Sequence, residues 1–97
     1  MTTERLAELF DAENDEYIKF DRVRDHRSAR PDLHAFLLLN QLQPGNDDIV
    51  SGAGHEEIYL SIDTGKLAEV ISEDQIVELL RCGVRYDTEY ECLAMFV

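Results

Sequence analysis

The stretch EIYLSID, Glu57 to Asp63, decides the fold. Ile58, Leu60 and Ile62 alternate with Tyr59 and Ser61. That two-residue period belongs to a strand with one face on a core. Asp63-Thr64-Gly65 turns the chain, and KLAEVI (66–71) reads as a short helix. Upstream, Gly52 and Gly54 make SGAG (51–54) flexible, so a strand from Ile49-Val50 is weakly marked.

The next segment is the best-marked helix. Ser72 caps it and Gln75 stands three residues later, the spacing of a reciprocal capping box. Ile71 and Ile76 are placed for a hydrophobic staple across that cap. Ile76, Val77, Leu79 and Leu80 form its apolar stripe, and Gly83 suits the left-handed conformation that ends a helix. VRYDTEYECLAMFV (84–97) then reads as two short strands joined at Asp87-Thr88-Glu89. CLAMFV is apolar on both faces, which predicts an interior or covered strand.

Toward the N-terminus, TERLAELFDAENDEYIKFDRV (3–23) carries Leu6, Leu9, Phe10, Tyr17 and Phe20 mostly at helical spacing, with Thr2 or Thr3 as cap. Asp11 to Glu16 has no strong apolar anchor, which predicts a break between two helices with Asn14 or Asp15 capping the second. HRSARP (26–31) connects to PDLHAFLLLNQL (31–42). Pro31 fits the first turn of that helix, and its leucines cover almost the whole circumference, the pattern of a central buried helix. Pro44-Gly45 stops it.

The expected fold is therefore a single α+β domain over residues 1–97. Two or three N-terminal helices and the Ser72–Cys82 helix pack on a small, mainly antiparallel sheet from 58–62, about 84–86 and 91–97. The expected core is Leu6, Phe10, Phe36, Leu39, Ile58, Leu60, Ile62, Ile76, Leu80, Leu93, Met95 and Phe96.

With 44% hydrophobic residues, a chain of 97 residues can pack a core without a staple. Acids outnumber bases 21 to 9, for a net charge of −12. Such a surface repels nucleic acid and acidic membranes, because phosphate binding needs clustered Lys and Arg. Residues 1–21 carry a net −5, residues 22–34 a net +2 and the rest −9, so one basic island sits in an acidic molecule. The chain begins MTTERLAEL, with no apolar signal region, and no apolar run approaches membrane length. A cytoplasmic compartment and two free thiols, Cys82 and Cys92, are the expectation.

Asp11 to Arg22, DAENDEYIKFDR, invites comparison with a calcium loop. Asp11, Glu13 and Asp15 stand at the first three ligand positions, but Glu16 replaces the glycine of the sharp turn and Arg22 the closing bidentate glutamate. The stretch therefore reads as a solvated helix face or junction, or as an acidic contact surface.

Arg22, Arg24, Arg27 and Arg30 lie just beyond seven acids, whose field weakens any grip on phosphate within a Debye length of about 8 Å. Intramolecular pairing is expected of them instead, such as Arg22 with a nearby acid. His26, His34 and His55 form no metal-ligand spacing, and His34 reads as a hydrogen-bonded residue at the core edge. Cys82 ends a helix, where the dipole disfavours a thiolate, and Cys92 heads an apolar strand. No GxSxG, Walker loop or GxGxxG is present. KLAEVISEDQIVELLRCGV resembles a helix-turn-helix only in outline, since Glu73 and Asp74 stand where base-contacting residues belong.

Taken together, PDLHAFLLLNQL, HEEIYLSID (55–63), LLRCGVRYD (79–87) and LAMFV (93–97) resemble small acidic proteins encoded by phages and prophages. The resemblance spans about Asp11 to Val97. It implies a protein that binds and blocks a host protein, restriction or CRISPR machinery included.

The functional expectation is a non-catalytic acidic binding protein. Its partner is a basic, nucleic-acid-binding protein, with no direct nucleic-acid contact, no membrane, no cofactor and no metal. Asp11, Glu13, Asp15, Glu16, Asp47, Asp48, Glu56 and Glu57 are the candidate partner-binding residues. The alternatives are a structural or oligomeric module, with CLAMFV or the Leu-rich helix meeting a second copy as a homodimer, and a small metal-dependent enzyme.

Overall fold

The computed structural model describes all residues from Met1 to Val97. Helix α1 (Thr3–Ala12) leads through two single 3-10 turns, Asn14–Glu16 and Phe20–Arg22, to α2 (Pro31–Leu42). Strands β1 (Val50–Gly54) and β2 (Glu57–Leu60) follow, then α3 (Thr64–Val70), α4 (Glu73–Arg81), β3 (Val84–Asp87) and β4 (Cys92–Phe96). The chain is α+β. The four strands form one sheet in the order β1-β2-β4-β3, antiparallel at every pairing. No helix is long and apolar enough to cross a membrane.

Local chemistry explains the helix ends. The Thr2 hydroxyl accepts from the Arg5 N–H and starts α1. Asp63 caps α3 through the Lys66 N–H. At α4 the capping box is complete: Ser72 Oγ accepts from Gln75 N–H at 3.2 Å and Gln75 Oε1 accepts from Ser72 N–H at 2.9 Å. Gly83 then takes φ 93 and its N–H bonds the Leu80 carbonyl. Pro31 opens α2 as its missing N–H allows.

Register sets the two faces of the sheet. Val84 stands opposite Met95, Tyr86 opposite Leu93, and Ile58 opposite Met95 from the other side. With Leu60 these side chains share the face toward the helices. The core joins them to Leu6, Leu9 and Phe10 of α1, Leu38 and Leu39 of α2, Leu67 of α3 and Ile76, Leu79 and Leu80 of α4. The opposite face carries Glu57, Tyr59, Arg85, Asp87, Cys92, Ala94 and Phe96, none of which belongs to that core.

Several expectations need correction. The second helix expected within residues 14–23 does not form; the segment closes only two single 3-10 turns, from which Tyr17 and Phe20 pack against the core. The Leu-rich α2 is not buried all round, because Leu33 and Leu37 are exposed on its outer side. Phe96 is exposed rather than core, because register turns it to the outer face. Phe36 and Ile58 pack against the core but remain half-buried. The weakly marked segment at Val50 does form an edge strand, with an irregularity between Val50 and Gly52.

Candidate partner-binding site

Of the eight candidate acids, the structure separates two. Glu16 is clamped between two arginines: Arg81 Nε donates to Oε2 at 2.8 Å and Arg22 Nη1 to Oε1 at 2.9 Å. The hydrogen bond from Arg81 holds the Glu16 carboxyl below its ordinary range, with the charges of Arg81, Arg22 and Lys19 adding to it. Arg81 Nη1 also donates to the Arg22 carbonyl at 3.2 Å. Glu16 therefore ties the turn segment to α4. Glu57 pairs with Arg85 across the outer face, and Arg85 reaches Asp87 at 3.5 Å as well. Both carboxylates are occupied within the chain, so neither is a free contact for a partner.

The others stay free of ion pairs, and the fold sorts them into two regions. Asp11 lines a cavity of about 300 Å³ beside β3, with Phe10, Tyr17, Tyr86, Arg85 and Phe96. Glu13 and Asp15 follow it just beyond the end of α1. Glu56 sits in the β1–β2 turn at φ 63, and its carbonyl accepts from the Val97 N–H, next to Phe96. Asp47 and Asp48 lie at the other end of β2, where the Asp48 carbonyl accepts from Ser61 Oγ.

The outer sheet face is held by Arg85. Its guanidinium carbon lies 4.4 Å from the centre of the Phe96 ring, a cation–π contact, while its Nε is buried and unpaired. Tyr59 and Tyr90 meet edge to face at 5.2 Å beside it. The neighbouring Glu57 carboxylate, as acceptor for the phenol, pushes Tyr59 up to about 12.

Of the arginine island, only Arg22 makes an ion pair; Arg24, Arg27 and Arg30 make none. The island instead shapes a buried histidine. The Arg27 N–H donates to His34 Nδ1 at 3.0 Å, which leaves the ring proton on Nε2, facing Glu78 Oε2 at 2.6 Å. His26 stacks on Phe20 with centroids 4.2 Å apart. Both cysteines are free thiols. Burial pushes the Cys82 thiol up to about 12, and burial raises Cys92 as well.

Sequence reasoning missed the cavity beside β3. Its walls come from residues as distant as Ala7 and Phe96, and no local pattern joins them. The chain matches no protein-family model, no curated protein and no solved structure.

Proposed function

We propose that this chain is a non-catalytic binding protein that presents a carboxylate surface to a basic protein. The observation that supports this most is what remains after internal pairing. Only Glu8, Glu16, Glu57 and Asp87 of the 21 acids pair with an arginine, which leaves 17 without a cationic partner; Glu78 meets only the neutral His34 ring. Of the nine bases, Lys19, Arg24, Arg27, Arg30 and Lys66 are unpaired. The excess of negative charge is thus turned outward, where it steers a cationic surface into contact. Asp11 lines the apolar cavity and Glu13 and Asp15 follow it in the chain, with Glu56 in the β1–β2 turn and Asp47 and Asp48 as a separate group. In line with the resemblance to phage-encoded acidic proteins, the partner is a host protein whose nucleic-acid site this surface occupies.

The experiment is capture of basic proteins from host lysate on the immobilised chain at low and high salt. Recovery at low salt that is lost at high salt, and lost when Asp11, Glu13 and Asp15 are changed to Lys, is the expected result. Recovery indifferent to both changes removes the reading.

One observation favours a second reading, an oligomeric module. Phe96, Tyr90 and Val97 are 58%, 61% and 83% exposed around the uncovered sheet face. A dimer that persists at high salt in light scattering supports this reading over the first.

A further inference from the structure

The cavity beside β3 continues into a neighbouring depression. The two share Ala7, Tyr86 and Thr88, so they form one furrow between α1 and β3. Arg85 and Tyr86 are consecutive and point to opposite faces of the sheet, yet both line this furrow. A hollow reached by both faces of a strand runs along that strand's edge.

β3 is an outer strand, with β4 on one side only. Backbone groups on the far side of such a strand point away from the sheet. Outside the helices and the sheet, no backbone hydrogen bond involves residues 84–87, so that edge is unpaired within the chain. Nearby, Phe10, Tyr17 and Phe96 supply apolar wall. Glu4, Asp11 and Glu91 supply negative charge along the furrow. The one lining cation, Arg85, is already tied to Glu57 and Asp87.

We propose that this furrow takes an extended segment of the basic partner as an added strand on β3. One apolar side chain of the segment fills the cavity, and its lysines or arginines face Glu4, Asp11 and Glu91. The inference rests on the basic-partner reading and specifies its mode of contact. Main-chain bonds give such strand addition its affinity, and pockets for alternate side chains give it specificity. β3 offers room for about four paired residues, roughly 13 Å of strand. A second copy of the chain is the poorer occupant, since it brings another net −12 to an acidic furrow.

The test uses the intact chain and three peptides of about nine residues, long enough to overhang β3 at both ends. The first alternates lysine and leucine, the second alternates glutamate and leucine, and the third is the lysine–leucine peptide made in two forms, with alternate backbone nitrogens methylated along one edge or along the other. Binding is read by anisotropy, and amide exchange is followed residue by residue. The lysine–leucine peptide is expected to bind and to slow exchange within Val84–Asp87. Methylation along the bonding edge is expected to weaken it about tenfold, as is Ala7→Phe, which plugs the furrow from α1.

Equal binding of the glutamate peptide, indifference to methylation of either edge, or protection away from β3 overturns the proposal. So does a dimer that protects β3 by itself. If no peptide binds while the chain still associates with a basic protein in a salt-sensitive manner, strand addition fails and the basic-partner reading stands. If that association is also absent, both fall.

Discussion

The His34 imidazole of α2 and the Glu78 carboxylate of α4 meet at 2.6 Å, and the ring has no exposed surface. Because the Arg27 N–H already occupies Nδ1, the ring is satisfied on both nitrogens as a neutral tautomer. Arg27, α2 and α4 are thereby joined through one side chain. Replacing Glu78 by Leu removes the acceptor and strands a buried N–H, a loss of about 1–3 kcal/mol. Glu78→Gln keeps an acceptor oxygen and is expected to cost less. Urea unfolding of the two variants checks the order; equal stability of Glu78→Leu and the parent contradicts it.

The Glu16 clamp carries a pH signature. Its carboxyl is held low in the folded chain, chiefly by the Arg81 hydrogen bond. The folded form therefore binds this proton less readily than the unfolded one. The clamp stabilises the fold above the ordinary carboxylate range, and that contribution disappears as pH falls through the lowered value. Glu16→Gln is expected to be less stable than the parent at neutral pH and to converge with it in acid. Thermal melts across the acid limb measure the difference, and a constant gap down to the lowest pH contradicts the assignment.

Cys82 is expected to be inert while the chain is folded. Burial raises its thiol to about 12, so almost no thiolate is present at neutral pH. A group raised in this way favours the folded state below the ordinary thiol value, and loses that effect as pH climbs through about 12. Iodoacetamide labelling at neutral pH is expected to modify Cys82 only after denaturant is added. Labelling at the rate of a free cysteine in native buffer contradicts this burial.

Two residues with positive φ predict opposite signs. Gly83 ends α4 at φ 93, and a Cβ there would meet Ile18 Cγ2 at 3.6 Å, an ordinary contact. Gly83→Ala is therefore costly through the backbone alone, by about 1–2 kcal/mol. Ile18 sits at φ 55 with a branched, largely exposed side chain, and its N–H bonds the Leu80 carbonyl. Ile18→Asn relieves that strain at little loss of burial and is expected to stabilise by about 1 kcal/mol. Denaturant midpoints of the two variants moving in the same direction contradict the backbone account.

Elements with local chemical marks were legible in the sequence. Ser72 and Gln75 defined α4, Pro31 opened α2, and alternation at Ile58 and Leu60 exposed the strand beneath the helices. The failures have a common physical source, in that they depend on partners far along the chain. Phe96 looks like core by hydropathy, but its pairing opposite Glu57 turns it outward onto Arg85. Leu33 and Leu37 belong to an apolar helix that covers the core with only one side. Glu16 and Glu57 looked as free as Asp11, until Arg81 and Arg85 were brought to them from distant segments. The furrow along β3 is likewise a product of assembly, not of any motif.

The most direct measurement is the association rate of the intact chain with a captured basic partner, followed across a salt series. The parent is compared with the variant carrying Asp11→Lys, Glu13→Lys and Asp15→Lys. The parent rate is expected to fall steeply with salt, and the variant rate to be lower by about tenfold at low salt with a flatter dependence. Identical rates and identical salt slopes for the two proteins would contradict it.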